Sequence, residues 1–180
     1  MQKKEYVILV DESDNQIGLE EKLKAHELGL LHRAFSVFLF RKRGDSMELL
    51  LQQRARHKYH CGGLWANTCC SHPRDGESVI QAGKRRLKEE MRISIKNLEH
   101  VGKFTYKAEF ENGLTEHEID HVLVGIFDSD DINFNRQEVA AVRWIVLDQL
   151  EKELTESPEI FTPWLEKVIR VVSLRKLLNP

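Results

Sequence analysis

The chain has little of what a crosslinked or membrane-bound protein needs. Its 180 residues include three cysteines, an odd number, and Cys69 and Cys70 are adjacent and so poorly placed to pair. This argues against a secreted disulfide framework, and the thiols are expected to be reduced. No apolar run approaches the roughly 18 residues of a membrane helix. The opening MQKKEYVILVDESD carries an apolar stretch too short for a secretory signal and no cleavage site. A cytoplasmic protein with no membrane partner is expected. No charge sign dominates either: the formal net charge is −2 with 31% charged residues, which gives no general attraction for nucleic acid. An anionic ligand must therefore be met locally. Internal repeats, low-complexity tracts and long linkers are missing too.

What is present suits one domain over residues 1–180. With 41% hydrophobic residues a chain of this length can bury a real core without staples. Residues 6–10 (YVILV) read as a strand, followed by the turn formers DESDN at 11–15 and a charged stretch, EEKLKAHELG. Residues 34–41 and 47–53, separated by the basic turn RKRGDS, predict a buried hairpin. From Glu77 to Met91 the residues Val79, Ile80, Gly83, Leu87 and Met91 recur at helical spacing, with Asp75 or Ser78 as N-cap. Strands are expected at 100–107, 119–127 and 139–146, then helices at 148–156 and 159–178, with Pro163 in the first turn of the last. The fold class is α/β in the α+β sense: mixed sheet flanked by helices.

On the 77–93 helix, Arg85/Glu89 and Arg86/Glu90 are spaced four apart and are therefore neighbours on its surface. Taken alone, that is a solvated face stitched by ion pairs worth a few tenths of a kcal/mol. The stretch nevertheless resembles the Nudix box, matching at Glu77, Arg85, Leu87, Glu89, Glu90 and Ile93, and departing at Ser71, Arg86 and Arg92. The segments LHRAFS, ANTCCSHP, TEHEID and TPWL, in that order along nearly the whole chain, resemble one branch of that superfamily, the type 1 isopentenyl diphosphate isomerases.

Glu116 and Glu118 lie two apart in a strand-like segment, so their carboxylates share a face. With His26, His32 and His72 they make a plausible N/O ligand set for Mn²⁺, Mg²⁺ or Zn²⁺. The spacings are too wide for a local zinc signature, and it is the resemblance that implies one divalent ion on those five residues. It likewise implies proton transfer by Cys70 and Glu118, with Tyr106 as hydrogen-bond partner of Glu118, and a substrate-facing indole at Trp164. Lys22, Arg54, Lys58 and Arg86 are the implied diphosphate contacts, and Glu90 the acid for a Mg²⁺ arriving with that group. Cys69 reads as a small core residue and Cys61, in the unusual turn HCGG at 60–63, as a packing residue.

The implied reaction turns isopentenyl diphosphate into dimethylallyl diphosphate, within isoprenoid biosynthesis, by protonation and deprotonation through a tertiary carbocation and without flavin. The sequence does not fix which of Cys70 and Glu118 donates. The only partner expected is the small-molecule substrate. A monomer is expected, with a dimer left open, and the first 25 residues are expected to order around ligand. Three rivals remain: a Nudix diphosphate hydrolase using Glu77, Glu89 and Glu90; a noncatalytic metal- or phosphate-binding module; and a cysteine hydrolase, for which His72 lies too close in sequence to Cys70.

Overall fold

Alternation in residues 34–41 sets the two faces of the central strand, and the rest of the architecture follows from what covers each face. A computed structural model describes residues 4–58 and 60–171. In chain order the strands are β1 (Tyr6–Val10), β2 (Gln16–Glu21), β3 (His32–Arg43), β4 (Ser46–Arg54), β5 (Trp65–Ala66), β6 (Cys69–Ser71), β7 (Glu99–Glu109), β8 (Thr115–Ile126) and β9 (Val139–Val146). The α-helices are α1 (Lys22–Glu27), α2 (Val79–Arg86), α3 (Leu147–Glu156) and α4 (Pro163–Val171). This is the expected mixed α/β arrangement. No helix among the described residues is long and apolar enough to cross a membrane.

β3 organises the sheet. It pairs antiparallel with β4 beyond a Gly44–Asp45 turn, antiparallel with β6, and parallel with β8 from His32↔Glu118 to Phe40↔Ile126. Phe35, Val37 and Leu39 pack with Ala82, Leu87 and Met91 of the α2 side. Phe38 and Phe40, on the opposite face, pack with Leu150 and Leu154 of α3 and with Leu165 and Val168 of α4. Each such side chain, fully withdrawn from water, contributes about 1.5–3 kcal/mol. Gly83 permits the close approach of α2, since a Cβ there would lie 2.7 Å from Leu123 Cδ1.

The expected helix over 77–93 is shorter and changes type. Ser78 caps it through a reciprocal box with Gln81, α2 runs Val79–Arg86, and Leu87–Met91 continues as a π-turn ending at Arg92, whose φ is 54°. That left-handed position is where the Nudix pattern carries glycine, and it explains why the pattern wants one. The last expected helix is interrupted: a 3₁₀ turn at Pro158–Ile160 precedes α4. Pro163 disfavours a helical conformation at Thr162, whose N–H instead donates to the Trp65 carbonyl at 2.9 Å. Positions 172–178 of that expectation lie outside the described residues.

β2, α1, β5 and β6 were not expected. Among the described residues β2 is an edge strand paired to β1 alone, and α1, six residues reading KLKAHE, is too short for propensity alone to hold. Its buried residues, Ala25 and His26, supply the tertiary contacts that do.

Candidate active site and metal centre

Four ligand atoms meet where α1, β3, β8 and the segment after β6 converge. His26, His32, His72 and Glu118 each offer one atom within 4.8 Å of the others. The β3–β8 register places His32 opposite Glu118. His32 Nδ1 donates to the Leu30 carbonyl at 2.7 Å, and His26 Nδ1 to the Lys22 carbonyl at 2.6 Å. Those bonds fix the tautomers and aim both Nε2 atoms into the cluster. His26 Nε2 is buried with no hydrogen-bond partner among the described residues. His32 Nε2 and His72 Nε2 are 3.2 Å apart, and Glu118 Oε1 lies 3.0 Å from His72 Nε2.

The electrostatics favour a cation at this point. Burial holds His26 down to about 4 and His72 down to about 3, so both rings stay neutral. Burial also lowers His32, but Glu118 outweighs it and leaves that ring raised. Burial alone would raise the Glu118 carboxyl, and the hydrogen bonds from His32 and His72 bring it well below the usual range. Three imidazoles and an ionised carboxylate converging on one point are a donor set that fits a divalent ion such as Mn²⁺ or Zn²⁺.

Glu116 and Tyr106 stand apart from the four converging groups. Glu116 lies outside the four-atom convergence, with its Oε1 2.8 Å from His60 Nε2. Tyr106 stands opposite Glu118 in the β7–β8 register, yet its hydroxyl makes no hydrogen bond to Glu118, and the carboxylate acting on it most strongly is Glu116. Glu118 is already committed to His32 and His72. Burial and the nearby carboxylates push the Tyr106 phenol upward.

Beside the cluster lies a small cavity of about 70 Å³, open to solvent on one side. Its wall contains Cys70, Glu116, Glu118, His72 and Trp164, together with Lys22, Arg54, Lys58, Arg86 and Glu90. Cys70 reaches it because β6 pairs Cys70 with Ser36. Burial pushes the Cys70 thiol up to about 12, so it is protonated. Cys69, one residue away, points into the core and is fully buried.

The basic residues of the wall are partly neutralised by neighbours. Lys22 Nζ is 3.0 Å from Glu5, Lys58 pairs with Glu138, and Arg86 pairs with Glu90, which also accepts from Gln52 at 3.0 Å. Arg54 lies over the Trp164 ring, 5.4 Å from its centroid, and the indole N–H donates to Asn67 Oδ1 at 3.1 Å. Arg85, by contrast, faces away from the cavity and grips Glu77 at 2.8 and 2.9 Å.

Two charged or titratable wall residues, Asp120 and His60, escaped the sequence reading. Asp120, fully buried and accepting from Ser36 at 2.8 Å, follows Glu118 by two and shares its face of β8. That spacing was a usable signal. His60 sits in the irregular HCGG turn and carried none. Cys61 is the packing residue expected of it, against the cluster of Ala66, Tyr106 and Trp164. Gly62 admits no side chain, because a Cβ would lie 2.5 Å from the Arg56 carbonyl oxygen.

Comparison with known proteins gives a family match and two levels of likeness. The NUDIX domain family matches residues 30–165. A protein named Isopentenyl-diphosphate Delta-isomerase from Photobacterium profundum is 49% identical over 93% of this chain and 94% of its own. One of the same name from Serratia proteamaculans is 48% identical over 92% and 90%. The crystal structure of DR0079 from Deinococcus radiodurans superposes with a TM-score of 0.72 at 18% identity, covering 93% of this chain and 99% of that one, a likeness of fold.

Proposed function

The chain belongs to the NUDIX family, in its isopentenyl-diphosphate Delta-isomerase branch, and from that premise we propose how the cavity carries the reaction. The enzyme is an isomerase that converts isopentenyl diphosphate to dimethylallyl diphosphate. A proton adds to the terminal methylene, a tertiary cation forms at the adjacent carbon, and a proton leaves C2, so atoms and charge balance without a redox cofactor. No flavin is needed.

The observation that carries this reading is that Cys70 and Glu118 share one cavity wall with an indole and a group of cations. An unactivated alkene is a very poor base, so protonating it requires a positioned donor, a separate acceptor and little water. A protonated thiol and an ionised carboxylate supply one donor and one acceptor. Trp164 offers its ring face to the cation, an interaction worth about 1–2 kcal/mol. Tyr106, buried behind the carboxylates, is an auxiliary proton donor.

Lys22, Arg54, Lys58 and Arg86 bind the diphosphate by charge-assisted hydrogen bonds, which replace the present carboxylate partners of Lys22, Lys58 and Arg86. His26, His32, His72 and Glu118, with Glu116 as fifth ligand, would hold one divalent ion, Mn²⁺, Zn²⁺ or Mg²⁺. When bound, that ion adds positive charge beside Glu118 and fixes its orientation. Glu90 would hold a Mg²⁺ arriving with the diphosphate, and that ion would offset the charge of the phosphate oxygens. A NUDIX hydrolase reading is weaker, because Arg86 replaces an acid of that helix and pairs with Glu90.

The test is proton NMR of isopentenyl diphosphate with the enzyme in D₂O, with Mg²⁺ alone and with Mn²⁺ or Zn²⁺ added. Dimethylallyl signals carrying deuterium are expected, and Cys70→Ala and Glu118→Gln should each lose about 10²-fold or more in rate while remaining folded. Unchanged substrate under every metal, or release of inorganic phosphate, would refute the reaction. Near-normal rates in a folded, metal-loaded variant would refute that residue's role.

A further inference from the structure

The HCGG turn at 60–63 places His60 against Glu116. His60 Nε2 is 2.8 Å from Glu116 Oε1, with the two side chains 10% and 6% exposed. Its ring is fixed on two sides, 5.6 Å from Phe110 and 6.3 Å from Trp164 between centroids. Its backbone carbonyl accepts from Arg54 at 3.3 Å. The turn is thus tied both to the cation group and to the acid face of β8. Glu116 Oε2, by contrast, is buried with no hydrogen-bond partner among the described residues.

We propose that His60 is a positioning residue for Glu116: its ring N–H holds one carboxylate oxygen and leaves the other for the ion of the His26, His32, His72 and Glu118 cluster. This rests on the reading of Glu116 as the fifth ligand. Burial alone does not set the rotamer of a glutamate, whose side chain has several rotatable bonds to immobilise. A hydrogen bond from a packed ring does so before any ion arrives. Such outer partners orient ligands across metal sites, and losing one costs about 10- to 100-fold in metal affinity. His60 acts through Glu116 and not on the substrate.

The experiment titrates the full-length, chelator-treated protein with Mn²⁺ by calorimetry. His60→Phe keeps a ring against Phe110 and Trp164 but loses the N–H, His60→Gln restores a donor, and Glu116→Gln removes the ligand. About a 10- to 100-fold weaker Mn²⁺ affinity is expected for His60→Phe, with most of it recovered in His60→Gln. The His60→Phe/Glu116→Gln double variant should bind no more weakly than Glu116→Gln alone, since the two losses report one interaction. His60→Ala substitutes for His60→Phe should the larger ring not fold. Unchanged or tighter binding when the donor is lost, equal loss in His60→Gln, or additive loss in the double variant would overturn the proposal. Unchanged binding in Glu116→Gln would instead overturn Glu116 as a ligand, and this proposal with it.

Discussion

The four-residue cluster makes a thermodynamic prediction that needs no substrate. Four groups from different parts of the chain, His26, His32, His72 and Glu118, converge within 4.8 Å, and unfolding scatters them. An ion bound there stabilises the native state by RT ln(1 + [M]/Kd), about 2.7 kcal/mol at a hundredfold excess over Kd. For a chain of this length each kcal/mol moves Tm by about 2–4 °C, so saturating Mn²⁺ should raise Tm by about 5–11 °C over chelated protein. His72→Gln removes an imidazole whose Nε2 lies 3.0 Å from Glu118, and should lose most of that shift. Thermal unfolding followed by circular dichroism, with chelator and with graded Mn²⁺, measures both. A parent Tm indifferent to metal, or a His72→Gln variant keeping the full shift, would refute the site.

Trp164→Leu should lower kcat by about 5- to 30-fold, the rate equivalent of about 1–2 kcal/mol of cation stabilisation, with KM little changed; a change confined to KM in steady-state kinetics would remove the indole from the chemistry. Arg92→Gly should raise stability by about 1 kcal/mol in urea unfolding, because Arg92 sits at φ 54°, where a Cβ is strained; no gain would mean that its side chain compensates. Asp14 takes hydrogen bonds from Arg33 at 2.7 Å and Lys103 at 3.0 Å. These overcome burial, which alone would raise the carboxyl, and hold it low. Its contribution is therefore present above the unfolded value near 3.8 and is lost as pH falls through the folded one. Asp14→Asn, which tolerates the same positive φ, should cost about 1.5–3 kcal/mol at pH 7 and show a smaller loss of stability between pH 7 and pH 3 than the parent. Parallel pH profiles would refute the pairing.

Much of the fold was legible because burial imposes periods on sequence. The hairpin of β3 and β4, the start of α2 at Ser78, and β9 at Val139–Val146 all follow from strong hydrophobic patterns and local caps. β5 and β6, two and three residues long, are too short to carry a period, and β2 is an edge strand with one weakly committed face. The π-turn at Leu87–Met91 keeps the apolar spacing of a helix, so hydrophobicity alone does not reveal it.

By itself the sequence determined the chemical repertoire: imidazoles, carboxylates, a thiol, an indole and scattered cations, on elements whose faces the periodicity assigns. It also determined that Glu116, Glu118 and Asp120 share one side of β8, because alternate residues of a strand must. Only the tertiary structure decided which of these groups meet. His32 faces Glu118 through a parallel pairing of distant strands, and Cys70 joins them through β6. Glu116 is drawn to His60 by a turn with no repeating pattern. A period fixes the direction of a side chain but not its partner. The partner depends on strand register and chain crossing, which are set by the packing of the whole core.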